Sequence, residues 1–271
     1  MPKQWRLKAL YAGKISVPKS ALTPGIDLDI VYEAPYLAFL LVSAERAILV
    51  DTGISETFIV DGKAWGGLPA EGGGDHLLAS LASAGVNPTD VDTVIFTHLH
   101  NDHAGNTKLF ENARLIFQKD EWKTLLDPLP VMQLRKDYDS AIIDDLRSRD
   151  CTMVDGDLEL ADGIGLLKTP GHTPGSQSVV VHTDKGLRVL VGDHFHHYFN
   201  GFSQLTKFED LKGDIYDITP APAVYGQFMP PSIVYNYYDW YDSCHKVMAV
   251  VGTGGRDCIV PGHEPILLKQ L

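Results

Sequence analysis

The stretch Thr97-His98-Leu99-His100-Asn101-Asp102-His103 decides the reading of this chain. It has the pattern H-x-H-x-D-H and packs four metal-binding side chains into six positions. Grouping such polar side chains costs stability unless their lone pairs are satisfied, and a divalent cation satisfies them. His98 and His100 are two apart, so they share one face of an extended segment. Asp102 and His103 follow where the chain is expected to turn, so they can face a second cation. Imidazole and carboxylate donors are those of zinc sites that keep a position open for chemistry. The pattern therefore points to hydrolysis by metal-activated water.

Working outward, residues 91–96 form a short apolar run that reads as a buried strand. This strand delivers the histidines at its C-terminal end, where sites on α/β sheets lie. Upstream, residues 37–42 and 47–50 predict a hairpin that ends in Asp51-Thr52-Gly53. Asp75 is read as the cap of a helix carrying Leu77, Leu78 and Leu81. Residues 114–117 read as a strand, followed by a helix through Trp122 and Leu126, and residues 139–149 as a further helix. The second half repeats this grammar. Residues 165–168 lead to Thr169-Pro170-Gly171-His172, a hairpin of 178–182 and 187–191 ends in Gly192-Asp193, and residues 258–260 lead to Pro261-Gly262-His263. Residues 238–250 read as helical. Four strands thus end in His98, His172, Asp193 and His263, which predicts one site at one edge of a layered sandwich. His172 can complete the first metal site and His263 the second. Asp193 can bridge them, with a water between two metals about 3.5–4 Å apart as the nucleophile.

This ordered set resembles the metallo-β-lactamase superfamily over nearly the whole chain, from Asp51 in Leu49-Val50-Asp51-Thr52-Gly53 to His263. The resemblance implies an α/β fold, the four-layer αβ/βα sandwich. It implies that His98, His100 and His172 hold one metal, that Asp102, His103 and His263 hold the other, and that Asp193 bridges. Asp51 would order the ligand loops. The commonest dinuclear β-lactamases have Cys at the position of Asp193, and the flavo-di-iron branch has Glu at that of His100. A mononuclear iron branch lacks part of the second set, which is complete here. The chain is therefore closest to the dinuclear hydrolases, and within them resembles the N-acyl-homoserine-lactone lactonases, which share the twenty-one-position spacing from His172 to Asp193. Those enzymes carry Tyr three residues after the bridging Asp, to polarise the substrate carbonyl. Here that position is His196, and Tyr198 lies two further on. Either His196 or Tyr198 is the expected carbonyl-polarising group, with Tyr198 turned to the same side if the segment is extended.

The bulk numbers set limits. The 271 residues, 44% hydrophobic, suit one domain, 1–271, with an aromatic-rich insertion at about 196–241. Lys plus Arg is 23 against 35 for Asp plus Glu, a net charge of −12, which disfavours a nucleic acid or an anionic membrane as partner. Cys151, Cys244 and Cys258 form no C-x-x-C pair and read as reduced thiols, so the expected location is cytoplasmic. The first twenty residues hold no apolar signal core, and no apolar run approaches the ~20 residues of a membrane span.

The aromatics between Tyr198 and Tyr241 are read as an apolar wall or lid over the site, an internally packed insertion, or a dimer contact. The glycine-rich stretch from Trp65 to Gly74 reads as a loop bordering the site. His194 and His197 are read as structural or solvated, and His76, His182 and His245 as surface or packing residues.

The expected function is a dinuclear hydrolase, with two Zn2+ ions or another divalent pair, that opens a small lactone by a metal-bridging hydroxide. Asp102, or a metal-bound water, would pass the proton to the leaving alkoxide, and His196 or Tyr198 would donate to the oxyanion. The alternatives are hydrolysis of another ester, thioester, phosphoester or cyclic amide on the same centre, and a non-catalytic ligand-binding role. The partner is a small-molecule lactone or ester, and a homodimer is the assembly the resemblance allows.

Overall fold

The computed structural model describes residues 4–161 and 163–271. Met1, Pro2 and Lys3, part of the N-terminal stretch read above, lie outside the described residues.

Among the described residues an eight-stranded sheet runs, edge to edge, Lys63–Ala64, Leu68–Gly72, Arg6–Pro18, Val31–Val42, Ala47–Val50, Val91–Ile95, Arg114–Gln118 and Cys151–Val154. A five-stranded sheet runs Ile259–Pro261, Gly186–Gly192, Gln177–Thr183, Ile164–Lys168 and Leu158–Ala161. The two face each other across a core in which Leu37, Phe39, Ile48 and Ile95 of the large sheet meet Leu166, Val179, Val181 and Val260 of the small one. Each sheet has a second apolar face. The large sheet packs Leu77, Leu81, Leu125 and Leu146 of the helices Gly74–Ser83, Lys119–Leu126 and Ile143–Ser148. The small sheet packs Trp240, Cys244 and Val247 of the helix Tyr237–Val251, residues spaced to lie on one face. Strands buried on both sides read as continuous apolar runs, as at Ala47–Val50, where every residue is buried. The result is the αβ/βα layering that the family resemblance implies.

The predicted hairpins are present, Val31–Val42 with Ala47–Val50 and Gln177–Thr183 with Gly186–Gly192. Two expectations change, and one strand has no counterpart among them. Asp75 sits inside the first turn of its helix, and Gly73 at φ 123° occupies the cap position. The helix expected at 139–149 is a 3-10 turn, Ser140–Ile142, running into the shorter helix Ile143–Ser148. The longest strand, Arg6–Pro18, was not anticipated, and it pairs with almost the whole of Val31–Val42. Lys8, Lys14 and Gly13 interrupt its apolar run, and a register shift between Tyr11 and Lys14 breaks its alternation.

Candidate metal centre

Strand order explains why the ligand candidates converge. Val91–Ile95 lies parallel between Ala47–Val50 and Arg114–Gln118, so the loop after it leaves the sheet beside Asp51. Asp102 and His103 stand on the short helix Asn101–Ala104 that follows. In the other sheet Gly186–Gly192 and Ile259–Pro261 are parallel neighbours, so Asp193 and His263 leave side by side. Gly262 makes that approach possible, because a Cβ there would stand 2.5 Å from Asp193 Oδ1 and 2.9 Å from the carbonyl carbon of Gly192.

All seven candidate ligands are buried, none more than 6% exposed. His98, His100 and His172 form one cluster, with donor atoms within 4.8 Å of one another, and Asp102, His103, Asp193 and His263 form a second on the same criterion. Asp193 stands between them. Its Oδ1 lies 3.1 Å from His103 Nε2 and 3.0 Å from His263 Nε2, and its Oδ2 lies 3.7 Å from His172 Nε2. His172 Nε2 and His100 Nδ1 are 3.2 Å apart.

The back nitrogen of several rings is fixed from outside. His172 Nδ1 donates to the carbonyl of Ile233 at 2.9 Å, and His263 Nδ1 to that of Pro35 at 2.8 Å. His103 Nδ1 donates to Asp51 Oδ2 at 2.9 Å. Thr97 Oγ1 gives its proton to Asp51 Oδ2, so it is left to accept from His98 Nδ1 at 3.1 Å. Each of these bonds selects the tautomer that turns Nε2 toward the cluster. Asp51 also takes the Thr97 amide at 2.7 Å, and it does so from a left-handed backbone, φ 61°, that Asp tolerates better than most residues.

The electrostatics of the clusters differ. Burial, reinforced by the neighbouring imidazoles, holds His98 and His100 well below the usual histidine range, and burial takes His172 down to about 3. These rings are neutral and offer lone pairs. Burial works against charge in the second cluster too, but Asp193, Asp51 and Asp102 outweigh it and raise His103 well above its usual value. Burial would lift Asp193 as well, yet His196, His263 and His103 together hold it well below the carboxylate range. Burial raises Asp102.

Four inward-facing atoms, His98 Nε2, Asp102 Oδ1, His103 Nε2 and Asp193 Oδ1, are buried with no aligned hydrogen-bond partner. A native fold rarely leaves such atoms unmet. Nitrogen and carboxylate donors gathered as two adjoining sets around a shared carboxylate fit a pair of divalent cations.

The centre lines a cavity of about 780 Å3. His196 belongs to it, with Nε2 3.0 Å from Asp193 Oδ2 and Nδ1 unpartnered. Tyr198 does not. The segment after His197 turns into the short helix Tyr198–Gly201 rather than continuing extended, and the Tyr198 hydroxyl donates to the carbonyl of Ile259 at 3.1 Å beside a different cavity. The apolar wall also has another source. Phe58 and Val60 line the cavity together with Ile15, Val17 and Tyr36 and with Trp65 and Leu68 of the glycine-rich stretch, in which Leu68–Gly72 is a strand rather than loop. From the aromatic-rich stretch only Ser232 and Ile233 reach it, beyond the histidines themselves, while Phe199, Phe208, Phe228 and Trp240 are buried in the core. Tyr235, Tyr237 and Tyr238 instead line a side groove that meets the centre at His100 and His172.

The neighbouring histidines are all buried. His194 packs on Trp240 and faces Cys244 Sγ at 3.3 Å, and His197 shares a 2.8 Å hydrogen bond with Tyr32. His182 and His245 are exposed and His76 partly so.

One residue absent from the sequence reading belongs to this region. Glu121 is 0% exposed and hydrogen-bonds both histidine loops of the first cluster. Its signal is faint, since Glu121 and Leu125 share the buried face of the helix Lys119–Leu126 at four-residue spacing.

Known proteins resemble this chain in sequence and in fold. The model of the metallo-beta-lactamase superfamily matches residues 32–244. The N-acyl homoserine lactonase of Bacillus cereus is 34% identical over 199 residues, 68% of this chain and 74% of that protein. The N-acyl homoserine lactonase of Azorhizobium caulinodans is 30% identical over 200 residues, 69% of this chain and 74% of that protein. A solved N-acyl homoserine lactone hydrolase, with the product N-hexanoyl-L-homoserine at its catalytic metal centre, superposes with a TM-score of 0.76 at 24% identity, covering 100% of this chain and 97% of that one. The fold, the paired donor clusters and these likenesses converge: the chain belongs to the metallo-beta-lactamase superfamily.

Proposed function

We propose that this chain is a dinuclear metal-dependent hydrolase that opens small lactones, N-acyl homoserine lactones among them. The observation that carries the reading is Asp193, which turns one oxygen to each of two buried donor clusters at the floor of a largely apolar cavity. The lactonase relatives favour a lactone over other esters.

In this reading His98, His100 and His172 would hold one ion and Asp102, His103 and His263 the other, with Asp193 offering an oxygen to each set. The nitrogen and oxygen donor set favours zinc. Bound there, the ions supply Lewis acidity toward the lactone carbonyl and lower the pKa of water from 15.7 toward about 7. The remaining roles fall to the chain. The apolar walls from Ile15 to Leu68 hold the ring and its substituent and exclude bulk water. His196, whose ring borders the cavity with Nε2 3.0 Å from Asp193 Oδ2, is the side chain placed to offer an N–H to the carbonyl oxygen and stabilise the charge that develops on it. Asp102, which borders the cavity, is placed to relay a proton to the departing alkoxide.

Residues 1–271 act as one unit in this reading, since the centre draws on positions from 98 to 263. Three free cysteines support a reducing, cytoplasmic setting, and the charge of −12 supports a small-molecule rather than a nucleic-acid partner. No helix among the described residues is long and apolar enough to cross a membrane. A homodimer is the assembly the family resemblance suggests.

The test is turnover of a panel by the zinc-loaded protein: short- and long-chain acyl-homoserine lactones, an aromatic lactone, a thioester and a phosphotriester. Lactone opening that is lost on chelation and restored by zinc is expected. Turnover of the thioester or phosphotriester alone would replace the substrate class.

A further inference from the structure

Glu121 has no place in the chemistry above. It lines neither the main cavity nor the side groove, and it is fully buried on the first turn of the helix Lys119–Leu126. A carboxylate in such a place is costly unless donors surround it. Here they do. Oε2 accepts from the amide of Leu99 at 2.8 Å, the residue between His98 and His100. Oε1 accepts from Thr173 Oγ1 at 2.6 Å and from the Gly175 amide at 3.0 Å, both on the loop that opens with His172. The Tyr138 hydroxyl reaches Oε2 at 3.4 Å, and the Tyr138 ring packs edge-on against His100 with centroids 4.9 Å apart. The loop comes so close that a Cβ on Gly175 would stand 2.5 Å from the Glu121 nitrogen.

These contacts are one-sided. Every partner of Glu121 lies on the loop of His98 and His100 or of His172 or, as Tyr138, packs on His100, and none of its hydrogen bonds reaches Asp102, His103, Asp193 or His263. The two loops come from different sheets, which Gln177 joins at their base by donating to the carbonyls of Thr97 and Phe96, and Glu121 is the acceptor that both loops share beside the histidines. Hydrogen bonds to an ionised acceptor are the stronger kind and suit that task.

We propose that Glu121 is a positioning residue that sets the metal affinity of the three-histidine half of the centre, and of that half alone. The inference rests on the dinuclear reading of the site.

The test is zinc affinity, measured by competition with a chromophoric chelator and independent of any substrate. A His263→Ala background isolates the three-histidine half, and a His172→Ala background isolates the other. Glu121→Gln keeps the size of the side chain but leaves one oxygen to serve two loops. It should weaken zinc binding about 10–100-fold in the first background, the range typical of residues that orient metal ligands. In the second background the affinity should stay unchanged within about 3-fold, a change too small to count as ligand misplacement. Equal weakening in both backgrounds would mean general loosening of the fold, and no weakening in either would mean no role; both overturn the proposal. Should Glu121→Gln fail to accumulate as folded protein, Thr173→Val removes one of the donors. It must then show the same selectivity at smaller size, and an unchanged affinity in the first background overturns the proposal equally. Because zinc binding is read without turnover, a protein that binds two zincs yet opens no lactone sinks the functional reading and leaves this one standing.

Discussion

The two halves of the centre are built by different means. The first is three neutral imidazoles on two loops, with Glu121 drawing the loops together from behind. The second mixes imidazoles with the carboxylates Asp102 and Asp193, and Asp51 backs it through His103. Asp51 is less selective than Glu121. It also holds Thr97, whose hydroxyl orients His98, so its influence crosses into the first half. The contrast teaches that a buried carboxylate acts on whichever loops its two oxygens reach, and that only Asp193 belongs to both halves as a donor.

Three sets of substitutions break that comparison at different strengths. Asp193→Ala removes the shared donor, the carboxylate that stands nearest Nε2 of both His103 and His263. Metal analysis should find the chain unable to retain a pair of ions, and turnover should fall to background; an Asp193→Ala enzyme with full activity would dissolve the shared-donor account. Asp51→Asn should come next, with metal affinity reduced about 10–100-fold. Because Asp51 touches both halves, chelator competition should detect the loss at both sites. A loss confined to one half would mean that the Thr97–His98 link transmits nothing. The smallest effects separate His196 from Tyr198. His196→Ala should lower kcat for a lactone about 10²–10³-fold, the range for removal of one oxyanion donor, with metal content unchanged. Tyr198→Phe should leave kcat/KM alone and cost about 1 kcal/mol of stability through the lost bond to Ile259, seen as a lower melting temperature. The opposite pattern would return the carbonyl-facing role to Tyr198.

Much of this architecture is legible in the sequence because parallel strands concentrate chemistry at their C-terminal ends. His98, His172, Asp193 and His263 each follow a readable apolar run, and their order alone brings them to one edge. What escaped depends on long-range contact or on local geometry that periodicity does not encode. Glu121 sits in Lys119-Asp120-Glu121-Trp122-Lys123, a stretch that looks like any solvated helix face, and only the tertiary fold shows that its donors lie at Leu99, Thr173 and Gly175. Tyr198 was misplaced because side-chain alternation holds only while a segment stays extended, and this one coils at Tyr198. The apolar wall was sought in the region richest in aromatics. Composition does not distinguish rings that fill a core, such as Phe199 and Trp240, from those that border a cavity, such as Phe58 and Trp65. The strand Arg6–Pro18 escaped because its charged residues and Gly13 hide a pattern that pairing with Val31–Val42 makes plain.

The central claim, that two ions act together on a lactone, is tested most directly by adding zinc stepwise to the metal-free protein while following the opening of N-hexanoyl-homoserine lactone. The account predicts that activity develops only as the second equivalent binds and stops rising once both are bound. Full activity at one equivalent, or two bound equivalents without lactone opening, would contradict it.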